Sequence, residues 1–316
     1  MHTHQHSAHH DHRPATHGGT WRWALLLTLG FALVEAFGGW WFGSLALLGD
    51  AGHMFSDAVA LGLAAIAAWI SRRPPSAQHS YGLMRAEVIA ALLNSLLMLA
   101  VVIGIVVEAI RRFQQPHAIS GAAVMGIAFI GLVINIVVAL VLSREQHDMN
   151  TRAALLHVIG DLLGSVAALI AGAVIYYTGW LPIDPILSLV ICALILYSTV
   201  RLLRDALHVL MEGVPPHLDL RAVGKSMAGV SGVSSVHDLH IWMLSSGMPA
   251  LSAHVVLQRM TDWTGILHEL RDLLRRRYAI DHVTLQPEVA SVHNDVIKPQ
   301  LVQIHPIRPR KPKTEN

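Results

Sequence analysis

Two stretches of this sequence set a histidine four residues ahead of an aspartate in apolar surroundings: His53-Met-Phe-Ser-Asp57 and His157-Val-Ile-Gly-Asp161. A spacing of four brings both side chains to one face of a helix. Facing each other, the two pairs supply two imidazoles and two carboxylates, a tetrahedral donor set suited to Zn²⁺. Asp50 lies three residues before His53 and shares roughly its face. Cysteine is absent from the set. Thiolates hold zinc very tightly, whereas nitrogen and oxygen donors release it more readily. A lone intramembrane histidine or aspartate serves as well for a helix–helix hydrogen bond, but two copies of one spacing argue for a binding site.

The elements that carry these residues read as membrane spans. The 316-residue chain is 53% apolar and 14% charged, with a mean hydropathy of +0.49. A soluble domain averages about 25% charged residues. Six apolar runs appear, at roughly 23–42, 45–70, 86–110, 119–142, 153–177 and 186–211. Each reaches the ~20 residues a helix needs to cross hydrocarbon. His53 and Asp57 lie ~12–18 Å from the start of the second run, and His157 and Asp161 ~6–12 Å from the start of the fifth. With six spans these two helices are antiparallel, so both pairs fall near the middle of a ~30 Å core. If the N-terminus is cytosolic, Arg13, Arg22, Arg72, Arg73, Arg85, Arg144, Arg152, Arg201 and Arg204 flank inner span ends, against Arg111 and Arg112 outside. The positive-inside rule then places both termini in the cytosol. Trp40, Trp41, Tyr176, Tyr177 and Trp180 fall near outer span ends, where an aromatic belt is expected. Glu35 either lines the pathway or bonds a neighbouring helix; Asn94 and Asn135 read as interhelical hydrogen-bond partners.

The flanking segments are different in kind. His2, His4, His6, His9, His10, His12 and His17 crowd a polar N-terminus without an apolar centre. That composition reads as a disordered tail that captures metal, not as a secretory signal. Gly213-Val214-Pro215-Pro216 ends the last apolar helix. A helix over 218–229, strands over 233–244 and 249–258, an amphipathic helix over 262–278 and a strand over 281–288 follow. This αββαβ order predicts a small α+β domain of the ferredoxin-like type. Strand alternation puts His282, Thr284, Gln286 and Glu288 on one face. The expected division is a tail at 1–20, a six-helix transmembrane domain at 21–212, a cytosolic α+β domain at 213–290 and a basic, Pro-rich disordered tail at 291–316. The single cysteine, Cys192, excludes an intrachain disulfide and a cysteine-rich zinc module. No nucleic-acid signature appears.

The stretch from Gly43 to Asp57 resembles the second span of the cation diffusion facilitator family, and His157 to Asp161 its fifth. His79-Ser-Tyr-Gly-Leu-Met-Arg-Ala-Glu87 with Asn94, and His237-Asp-Leu-His-Ile-Trp242, resemble two further family signatures. The similarity runs from about Trp23 to Glu288. It implies a homodimeric exporter of zinc and related metals, driven by proton antiport, with a cytosolic metallochaperone-like domain. By the same resemblance His237, His254, His282 and Glu288 match a cytosolic zinc site, with His240 and His268 as weaker additions. His79 lies in a loop where some relatives bind a further metal, but its neighbours lack the other expected ligands. His-x-x-x-Asp in both spans resembles the zinc-preferring type; many relatives of wider range have Asp where His53 stands.

The expected activity is therefore secondary transport of Zn²⁺, with Cd²⁺, Co²⁺ or Ni²⁺ as further cargo, out of the cytosol across the inner (plasma) membrane. Protons are the expected counter-ion. The alternative is a membrane-embedded zinc hydrolase. Such an enzyme needs an open coordination position and a nearby acid or base. No His-Glu-x-x-His motif is present.

Overall fold

The apolar runs become six long helices: α1 (Gly18–Phe42), α2 (Leu45–Ser71), α3 (Ala86–Gln114), α4 (Gly121–Ser143), α5 (Met149–Thr178) and α6 (Ile183–Leu210). The computed structural model describes residues 18–143, 149–245 and 247–289, without the side chains of 18–26, 142–143, 149–157 and 159. The N-terminal histidines and the tail from 291 lie outside the described residues. Five of the helices are long and apolar enough to cross a membrane, and α1 adds an apolar stretch over Leu27–Phe42. Large apolar side chains such as Leu33, Phe37, Ile103, Leu140 and Leu194 stay exposed, while Glu35, Asp50, Asn135, Asp161 and Asp184 are buried. In water so much exposed apolar surface would mark an interaction site. Lipid is the solvent that suits it. Trp40, Trp41, Tyr176 and Tyr177 are exposed at the C-terminal ends of α1 and α5.

The chain folds into two compact units. The first takes residues up to Ala58 together with Met98–Leu196. There Met98, Val102, Ile105 and Ala109 form one stripe of α3 and pack with Leu45 of α2 and with Cys192 and Ile195 of α6. Ala46 and Leu47 of α2 pack with Val124 and Ala128 of α4 and Ala168 of α5. Helices α4 and α5 approach backbone to backbone. A Cβ added at Gly121 would meet Tyr176 N at 2.6 Å, and one at Gly172 would meet Met125 N at 2.6 Å. Small residues are what allow membrane helices this separation.

The same unit fixes where α2 begins. Asp184, at the start of α6, is completely buried. Its Oδ1 accepts from Ser44 Oγ at 2.7 Å and from Ala46 N at 3.2 Å, and its Oδ2 accepts from Leu45 N at 2.7 Å. It thereby satisfies N–H groups that a helix leaves open in its first turn, and its charge suits that end of the helix dipole. Arg112 of α3 lies 3.5 Å from the same carboxylate and also donates to the Gly43 carbonyl.

The second unit takes Val59–Leu97 and the chain from Tyr197 onward. Its C-terminal part is α7 (Leu220–Ala228), β1 (Val233–Ser245), β2 (Met248–Leu257), α8 (Trp263–Tyr278) and β3 (His282–Val289). Asp219 caps α7 by accepting from the Arg221 and Ala222 amides. The apolar stripe Ile266, Leu270 and Leu274 of α8 is buried against Val223 and Met227 of α7 and the inner face of the sheet, including Val236, Leu251, Val255 and Leu257. The sheet has the order β1-β2-β3, with β1 antiparallel and β3 parallel to β2. The αββαβ reading is the observed order of elements.

Candidate metal sites

Helix geometry assembles the first cluster. His53 and Asp57 are one turn apart on α2, with Nδ1 and Oδ2 3.4 Å apart. Asp161, almost fully buried on α5, brings Oδ1 to 3.9 Å from His53 Nε2. One ligand atom from each of these three residues lies within 4.8 Å of the other two. His157 lies on α5, four residues before Asp161, but its side chain is outside the described residues. The three described members thus meet across two helices, as the doubled His-x-x-x-Asp spacing predicts.

Asp50 is not part of this group. It is buried on α2, where Ser165 Oγ of α5 donates to its Oδ2 at 3.4 Å. Asn135 of α4 donates through Nδ2 to Ser165 Oγ at 3.1 Å, the interhelical role expected for it.

Strand geometry assembles the second cluster. His237 and His254 are directly paired across β1 and β2, with ring centroids 5.1 Å apart. Glu288 of β3 closes the group: Oε2 lies 2.9 Å from His237 Nε2, and Oε1 lies 2.7 Å from His254 Nδ1. These three form the other described group able to hold an ion. Two imidazoles and a carboxylate are a donor set that Zn²⁺ accepts. The structure does not bring His282 to them. It sits six residues before Glu288 on the same strand, ~20 Å away at strand rise, and its ring meets Tyr81 edge-on at 5.5 Å. His79, His240 and His268 belong to neither described group.

Asp238 was not legible as a neighbour of this site. Plain alternation sends it to the face opposite His237. A bulge between His237 and His240 breaks the register, and Asp238 takes a positive φ of 49°. An extra residue in one strand re-aims the side chains that follow. Asp238 Oδ2 consequently lies 3.6 Å from His254 Nε2, and Oδ1 lies 2.8 Å from His240 Nε2.

Two family models match the chain. The cation efflux transmembrane domain matches residues 22–211, and the cytoplasmic domain of cation efflux proteins matches residues 215–290. The chain belongs to the cation efflux, or cation diffusion facilitator, family. It is 41% identical over 296 residues to the zinc transporter ZitB of Escherichia coli (strain K12), covering 92% of this chain and 94% of that one. It is 34% identical over 292 residues to the cadmium, cobalt and zinc/H(+)-K(+) antiporter of Bacillus subtilis (strain 168), covering 90% and 94%. It is 39% identical over 283 residues to the metal cation efflux system protein CzcD of Cupriavidus metallidurans, covering 89% of each. The family transports cations, and nothing in these similarities supports the hydrolase reading.

Proposed function

We propose that this chain exports Zn²⁺ from the cytosol through His53, Asp57, His157 and Asp161, in exchange for protons and by alternating access. The observation that carries this reading is the meeting of His53, Asp57 and Asp161 between two membrane-length helices. Ionisable residues in a span are costly and mark ion pathways. The cysteine-free donor set fits an ion that must leave again. The zinc transporter and the zinc/H(+)-K(+) antiporter among the relatives support the cargo and the antiport. Cadmium, cobalt and nickel are secondary cargo.

In this reading the chain works as a homodimer in the inner membrane with both termini cytosolic. Residues 21–212 form the transmembrane domain and 213–290 the cytosolic domain. His237, His254 and Glu288 hold a resident zinc that stabilises the cytosolic domain and its dimer. The N-terminal histidines collect metal. The test is zinc flux in proteoliposomes holding the purified protein under an imposed pH gradient. Zinc movement against its gradient, with protons moving the other way, is expected. Zinc binding without transmembrane flux would overturn the reading.

A further inference from the structure

The joint between the last span and the cytosolic domain is built in more detail than a linker requires. Both the C-terminal part of α6 and the cytosolic domain belong to the second unit. Helix α6 stops at Leu210, and the chain turns through Glu212, whose φ of 58° lies in the left-handed region that favours glycine. The Glu212 amide donates to the Val209 carbonyl at 3.1 Å, and the Gly213 amide donates to the His208 carbonyl at 2.8 Å. This pair of bonds closes a helix that ends on a left-handed residue. The Glu212 side chain accepts from Arg85 Nη2 at 3.0 Å.

His208 folds back over this turn. Its Nε2 lies 2.8 Å from the Val214 carbonyl oxygen. A carbonyl only accepts, so this nitrogen carries the hydrogen. The ring fills the space where Gly213 lacks a side chain: an added Cβ would collide with Nε2, Cε1 and Nδ1 of His208. Gly213 does not have a positive φ, so its backbone suits alanine, and the ring is what demands glycine. Val214 in turn packs its side chain against the core of the cytosolic domain. Glu212, Val214 and Leu220 also border a cavity of about 1000 Å³. Close packing therefore does not fix this segment on every side. The bond from the ring to the carbonyl ties the end of α6 to a residue anchored in the domain core.

We propose that His208 is a clasp, seated in the slot left by Gly213, that locks the exit of α6 and makes the last span and the cytosolic domain one lever. A released linker lets the domain swing without moving α6. A clasped one passes a tilt of either part to the other, and transport by the membrane helices then depends on the clasp. His208 belongs to neither described metal cluster. It is a positioning residue, and its effect on transport comes through the joint.

The test uses wild type, His208→Ala, Gly213→Ala and the double variant, each full length and reconstituted in vesicles. Amide hydrogen exchange is read on the peptide holding residues 211–214, and zinc flux is measured on the same samples. By ordinary rules both changes tighten this end of the helix. Alanine is a better helix former than histidine, and alanine for glycine at a suitable φ restricts the unfolded chain. The clasp predicts the opposite sign. Each single variant should exchange about two- to tenfold faster, the weight of one hydrogen bond. The double variant should exchange no faster than His208→Ala, because ring and methyl group no longer compete for one space. His208→Gln, whose amide can donate to the same carbonyl, should recover part of the protection. Zinc flux should fall in the variants that exchange faster and recover in part with His208→Gln. Unchanged or slower exchange in either single variant would overturn the proposal. So would effects that add in the double variant, or wild-type flux in a variant whose joint exchanges faster.

Discussion

The two metal clusters use the same donors on opposite scaffolds. In the membrane unit, His53 and Asp57 share α2 while Asp161 comes from α5, with 3.9 Å between His53 Nε2 and Asp161 Oδ1. A membrane helix satisfies its backbone hydrogen bonds within itself, so nothing in the backbone locks α2 to α5. Side-chain packing holds them, and packing tolerates two arrangements. In the sheet, His237, His254 and Glu288 come from three adjacent strands whose ladders fix their separation, and Glu288 already reaches both rings within 2.9 Å. Helices that can shift make a site that opens to one side and then the other. A hydrogen-bonded sheet makes a site that keeps its ion. In the function proposed above, the difference between cargo and resident metal therefore lies in the backbone beneath the ligands more than in the ligands.

The sharpest way to break this contrast is to remove a carboxylate from the helix cluster. Asp57→Ala should lower zinc flux by at least about a hundredfold, since even an outer-shell partner of a metal is worth 10–100-fold. The substitution makes the span more apolar, so insertion should persist. Flux assays on membranes matched for protein content check this, and wild-type flux would place the cargo site elsewhere.

A second break attacks the support of α2 instead of its ligands. Asp184→Ala removes three hydrogen bonds at the start of that helix and leaves Arg112 without its buried partner. Arg112 keeps Glu108 and the Gly43 carbonyl, so the expected cost is that of the lost hydrogen bonds, about 1–3 kcal/mol for a buried group left unsatisfied. Thermal unfolding in detergent should show the loss, and flux should fall with it. An unchanged midpoint would mean that α2 is positioned without Asp184.

Selectivity sharpens the contrast further. His53→Asp replaces a single-nitrogen ligand by a carboxylate that binds through one or two oxygens. The loose helix site can then expand around a larger ion. Paired initial rates should show retained zinc transport and a higher cadmium-to-zinc ratio. An unchanged or lower ratio in an active variant would remove His53 from the selectivity role.

The smallest effect on flux is expected at the sheet. His254→Ala should transport zinc with an altered apparent affinity, and its clearest change should be in stability. Zinc at about a hundred times its Kd adds about 2.7 kcal/mol to a folded state that binds it. The zinc-dependent rise in unfolding temperature should shrink in His254→Ala. Acid should weaken zinc at both clusters, because metal and proton compete for imidazole nitrogen.

How much of this was legible in the sequence follows from the range of the rules involved. The i,i+4 pairs and the alternation along β3 are local, and they placed His53, Asp57, Asp161 and Glu288 correctly on their elements. Which residue of β3 lies beside β2 is a matter of register, and register is non-local. Alternation put His282 and Glu288 on one face, and the family resemblance named both as ligands; pairing of Ala250 with His282 and of Val256 with Glu288 leaves only the latter beside the histidines. Asp238 was hidden because a bulge overrides alternation. Asp184 was missed because its partners, Ser44, Leu45 and Ala46, lie far away in sequence. Glu35 and Asp50 were visible as anomalies in apolar runs, but the tie from Asp50 through Ser165 to Asn135 needs three helices in place.

One measurement tests the division of labour most directly: zinc flux by Asp161→Ala and His254→Ala, reconstituted side by side with wild type at equal protein content. The account predicts flux at background for Asp161→Ala and flux of wild-type order for His254→Ala. Robust flux through Asp161→Ala, or a well-folded His254→Ala with none, would contradict it.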